Sequence, residues 1–215
     1  ISGLSALYGL SLQDSFFDPR FWEQIQKHPT LVELSLTNCP IDGSTWKGLC
    51  GIENLRELDV TIPWDLGLLT PETRPKPAEH SWGVTPTDTE TYELGPPIQP
   101  KGTYPAGDEW KPVANLRNLE SLSFKNVLIT EELTQALTAL PHLRELSFNN
   151  FSFDEECLDH LASIPTLKYL TLYNTKVTAA ELEAFREKRP DVEIDHDIEG
   201  ILSDRRAKQL INAGP

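Results

Sequence analysis

The side chains able to do chemistry in this 215-residue chain are few and widely spaced. Cys39, Cys50 and Cys157 form no C-x-x-C pair, which argues against a thiolate zinc site, and their odd number argues against a disulfide framework. The five histidines stand at 28, 80, 142, 160 and 196, with no H-E-x-x-H pair among them, and neither a phosphate-binding glycine loop nor a G-x-S-x-G elbow occurs. Asp195-His196-Asp197 has residue types that hold metals or move protons. Adjacent residues of an acidic terminal segment point in different directions, so the triplet reads as solvated charge. The pairs Glu131-Glu132 and Glu155-Glu156 fall where helices start and satisfy the helix dipole rather than form an acid-base couple. The expectation is a non-enzyme with no cofactor and no metal.

Composition narrows the remaining classes. With 33 acidic against 19 basic residues the net charge is -14 and the pI near 4.7, so phosphate backbones and anionic membranes are repelled, and the basic residues do not cluster. A hydrophobic content of 39% is enough for a folded core, and no apolar run approaches bilayer-spanning length. Unpaired cysteines fit a reducing compartment, which predicts a cytoplasmic protein.

The elements that position these residues follow from an internal repeat. L-x-x-L-x-L recurs with first residues Leu7, Leu31, Leu55, Leu119, Leu143 and Leu167, at intervals of 24, 24, 64, 24 and 24, so one repeat carries 40 extra residues. Ten positions after each first leucine an apolar residue precedes a helix N-cap type at Asp18, Asp42, Thr130, Asp154 and Thr178, and Thr178 with Glu181 forms a capping box. Apolar residues return at Ile25, Leu49, Leu137, Leu161 and Phe185. Each unit is therefore a short strand, a turn and a short helix. Asp14, Asn38, Asn126, Asn150 and Asn174 end the strands as turn residues, and the glycosylation-like triplet Asn150-Phe151-Ser152 reads as part of that structural repetition.

Six matches in register resemble the leucine-rich-repeat proteins, specifically the short strand-helix repeats of large bacterial families, distantly similar to the ribonuclease-inhibitor type. The resemblance implies an α/β fold, a right-handed solenoid with a parallel sheet on its concave face and helices on its convex face. It implies that Cys39 is a small buried residue, and that the domain recognises a protein. Such domains often form the sensing end of larger proteins, including nucleotide-switch immune receptors with a C-terminal array. A structural or autoinhibitory module packed on other domains of its own chain is the alternative.

Four segments follow. Residues 1–63 hold the first repeats, and since Ile1 and Leu4 fall on the helix positions of a preceding unit, the array is expected to be the C-terminal part of a longer one. Residues 64–112 form an insertion with nine prolines and five glycines. Repeat arithmetic has it replace the loop and helix after the strand Leu55–Val60, beside the concave face. Its aromatic residues Trp82, Tyr92, Tyr104 and Trp110 read either as partner anchors on a binding flap or as groups packed on the solenoid. Residues 113–202 resume the repeats, with Val192 and Ile194 in a truncated last strand, and 203–215 are a cap or tail.

Alternation along the strands puts Glu33, Glu57, Glu145 and Tyr169 in one row on the concave face, with small hydroxyl residues and Asp59 in the next and Tyr173 beyond. Clustered charge and tyrosine are common at interfaces. These residues and the insertion aromatics are the candidate partner contacts.

Overall fold

A computed structural model describes residues 6–15, 17, 19–62, 105, 107–127, 129–151, 155–175 and 177–197. Seven parallel strands form one sheet in chain order: β1 Gly9–Gln13, β2 Glu33–Thr37, β3 Glu57–Thr61, β4 Ser121–Lys125, β5 Glu145–Phe151, β6 Tyr169–Thr175 and β7 Glu193–His196. Helices α1 Pro19–Ile25, α2 Gly43–Leu49, α3 Glu131–Leu137, α4 Glu155–Ala162 and α5 Ala179–Lys188 alternate with the strands. Parallel neighbours need a crossover, and a unit of this length leaves room for one short helix only.

The register follows the repeat. Gly9 faces Glu33 and Glu33 faces Glu57, each pair 24 residues apart, and Glu57 faces Ser121 across the longer connection. A one-residue slip would turn every leucine out of the core, which is why the alternation pins the pairing. Leu34, Leu58, Leu122, Leu146, Leu170 and Ile194 stack behind the sheet in a single buried cluster with residues of the helix layer.

The strand ends are shaped by the asparagine position. Asp14, Asn38, Asn126 and Asn174 adopt left-handed backbone, with φ between 50° and 61°, a conformation that Asn and Asp tolerate better than most side chains. The N–H of Asn38 donates to the Thr61 carbonyl at 2.8 Å and that of Asn126 to the Asn149 carbonyl at 3.0 Å, so each turn is tied to the next strand. At the helix starts, Asp42 accepts from the Thr45 N–H at 2.7 Å, and Thr178 exchanges hydrogen bonds with Glu181 in the expected capping box. The N-cap positions Asp18 and Asp154 lie outside the described residues.

Two expectations change. The unit after β3 keeps its helix: Gly107–Asn115 forms a 3-10 helix packed between α2 and α3. Its start lies 64 residues after that of α2, the interval that separates the neighbouring strands. Regular structure therefore resumes at Gly107, ahead of Val113, and Pro112 sits inside a 3-10 turn rather than in an irregular loop. The second correction is His196, which is 1% exposed and not solvated, because it pairs with Leu172 in register and takes an inward-facing strand position.

Candidate functional site

The open face of the sheet collects the residues singled out from the sequence. Glu33 and Glu57 are directly opposed on β2 and β3, and Ser35 opposes Asp59 one step along. Together with Ser121 and Ser123 they line a shallow depression of about 250 Å³ across β2, β3 and β4. Thr61 Oγ1 donates to Asp59 at 3.3 Å. Like charges directly opposed on a sheet oppose folding, and among the described residues no cation lies within ion-pair distance of Glu33, Glu57, Asp59 or Glu145. Two cations at strand entries are engaged elsewhere: Arg56 with Glu120 at 3.2 Å and Lys168 with Asp191 at 3.1 Å.

Glu145 on β5 faces Tyr169 on β6, and Tyr169 faces Glu193 on β7. The Tyr169 side chain is 51% exposed, an unusual state for so large an apolar ring in the middle of a sheet row. Tyr173 is placed differently from Tyr169. It is half-buried, and its hydroxyl donates to Asp195 Oδ2 at 2.7 Å, so it braces β6 against β7. Serine and threonine at 35, 123, 147 and 171 keep the floor between the acidic end and Tyr169 low.

Trp110 leaves the candidate set. It is 1% exposed, meets Trp46 edge-on at a centroid distance of 4.9 Å, and packs near Phe124, so it is core rather than partner contact. Its carbonyl accepts from Trp46 Nε1 at 3.4 Å. The signal was available in the sequence: Trp22, Trp46 and Trp110 are separated by 24 and 64 residues and hold one repeat position. Trp82, Tyr92 and Tyr104 lie outside the described residues.

All three cysteines lie in the core. Burial pushes the Cys39 and Cys50 thiols above their usual range, away from the thiolate form. Among the described residues no group of three His, Cys, Asp or Glu side chains converges as a metal site requires. No helix of the described residues is long and apolar enough to cross a membrane.

The described residues thus form a parallel sheet of strand-helix units in a common register, with one face of the sheet open. No family model matches the sequence. No curated protein matches it either. Among solved structures the chain is similar to an internalin (InlF) of Listeria monocytogenes, at 16% identity over 93% of this chain and 71% of that one, with a TM-score of 0.28.

Proposed function

We propose that the chain is a non-catalytic protein-recognition domain, a right-handed leucine-rich-repeat solenoid whose open sheet face, read as concave, binds a protein partner in the cytoplasm. The handedness follows from the strong preference of parallel crossovers for the right-handed path. The observation that carries the reading is the row across the sheet, where unneutralised Glu33, Glu57 and Glu145 and the exposed ring of Tyr169 stand over a floor of small hydroxyl residues. Tyrosine is enriched at the contact surfaces of complexes, and complementary charge selects among partners. The Pro-rich insertion departs after Ile62, next to the acidic end of the row, and is proposed to add contacts there.

Capture of partners by the chain, compared across variants, tests this. Tyr169→Ala and Glu57→Lys should each lose a protein that the parent chain retains, whereas Glu187→Lys, the same charge change on exposed α5, should keep it. Retention by both face variants would rule the sheet face out as the binding surface.

A further inference from the structure

The chemistry of the partner segment can be read from the spacing of the row. Glu57 on β3 and Glu145 on β5 are two strands apart, with Ser121 of β4 between them. Adjacent strands lie about 4.8 Å apart, so the two carboxylate positions are separated by roughly 10 Å. A polyproline-type segment crossing the strands rises about 3.1 Å per residue and repeats its side-chain direction every third residue, which is roughly 9.3 Å. Next to Glu145 stands the exposed ring of Tyr169, a surface that attracts a cation through its π face. At the other end Glu33 and Asp59 flank Glu57, giving three negative groups and no described cation to neutralise them. Lys125 is the single cation facing out of β2 to β6 in this sheet face, and it lies four residues further along β4 than Ser121 of the row, opposite Thr61 and Asn149.

We propose that the open face binds an extended protein segment carrying Lys or Arg at every third position, one cation held by Glu57 with its acidic neighbours and the next by Glu145 against Tyr169. The proposal rests on the sheet-face reading above and adds to it the charge and spacing of the partner. The occupant is a polypeptide crossing the strands, not a strand added to the sheet edge.

Three 12-residue probes test the spacing: a Lys-Pro-Ser repeat, a peptide of the same composition with its four lysines at every second position so that no two are three residues apart, and the acetyl-lysine form of the repeat. Binding to the full chain is measured by calorimetry at physiological salt. The every-third-residue peptide should bind roughly fivefold more tightly than the every-second-residue one, the effect of two correctly placed exposed ion pairs, and the acetylated form should not bind. Glu57→Gln with Glu145→Gln should abolish the preference while Glu187→Gln leaves it unchanged, and Tyr169→Ala should weaken the every-third-residue peptide selectively. Equal affinity for lysines at every third and every second position, or a preference that survives the double substitution, overturns the proposal in favour of attraction by net charge alone. If a captured protein loses binding on Tyr169→Ala while the peptides show no spacing preference, the sheet-face reading stands and the cation spacing is wrong. If the face variants leave protein capture intact, the reading itself has failed.

Discussion

The backbone N–H of Asn174 donates to both carboxylate oxygens of Asp197, at 2.8 and 3.0 Å. Asp14 and Asn38, which hold the same turn position, donate instead to main-chain carbonyls of the next strand, those of Thr37 and Thr61. Asp197 follows β7, so at this end a side chain substitutes for a backbone acceptor and terminates the ladder. Asp197→Ala should cost about 1 kcal/mol, a typical net hydrogen-bond contribution. The Asn174 amide should then exchange faster with solvent while exchange in β2 stays unchanged.

Arg189 secures the same end from the helix side. Its guanidinium donates to the carbonyls of Ala162 at 3.1 Å, Ile164 at 2.5 Å and Leu167 at 2.9 Å, and pairs with Asp191. Ala162 ends α4 and the other two residues follow it, where helix geometry supplies no donors for the carbonyls. Arg189→Ala should destabilise the chain by roughly 2–3 kcal/mol, the range for losing charged hydrogen bonds to partly buried acceptors. Arg189→Lys should recover only part of this because one ammonium cannot span three acceptors in a fork. Chemical denaturation of the two variants decides it.

Gly48 lies inside α2, where alanine ordinarily stabilises a helix by about 1 kcal/mol. Here a Cβ would come 2.5 Å from Trp22 Cγ and 2.8 Å from Trp22 Cβ. Gly48→Ala should therefore destabilise by about 1–3 kcal/mol, the cost of overpacking, and thermal melting should show a lowered Tm. An unchanged or raised Tm would mean that α1 shifts freely against α2.

Asp42 provides a pH-dependent contribution. Its carboxylate is held below the usual range, first by the Thr45 N–H and also by Ser44. A carboxyl whose folded pKa is depressed stabilises the fold above its unfolded value, near 3.9, and loses that contribution as pH falls through the lower folded value. Asp42→Ala should cost about 1 kcal/mol at pH 7, and the gap to the parent chain should close below pH 4. Stability measured between pH 7 and pH 3 checks the sign.

The 40 extra residues enter between β3 and its helix, so removing residues 67–106 restores a 24-residue unit and should preserve cooperative unfolding. Extending the deletion through Trp110 removes a fully buried ring and should cost at least 3–5 kcal/mol, as large-to-small changes at such sites do. Loss of the fold in the shorter deletion would assign the insertion a packing role.

Most of the fold was legible because each element repeats its own cause. Leu34 and Leu58 face inward for the same reason as Leu10, and Asn38, Asn126 and Asn174 turn the chain through the same left-handed backbone. The insertion hid one unit. Gly107–Asn115 has a proline at 112 and lacks an N-cap residue at the expected distance from its strand, so composition alone assigned it to the irregular segment. Trp110 went with it, since an isolated tryptophan among prolines resembles an exposed anchor until its spacing from Trp46 is counted. On the sheet face, alternation placed Glu57 and Tyr169 correctly outward, but it could not distinguish Tyr169 from Tyr173, whose hydroxyl is committed to Asp195. That difference depends on β7, a strand of only four residues.

The central claim is that the open sheet face is the recognition surface, and oxidative footprinting of tyrosines tests it most directly. Among the described residues Tyr169 and Tyr8 are the large exposed rings, at 51% and 59%, the first in the row across the sheet and the second at the entry to β1. With a captured partner bound, Tyr169 oxidation should fall severalfold while Tyr8 keeps its reactivity. Unchanged Tyr169 oxidation in a stable complex would contradict the account.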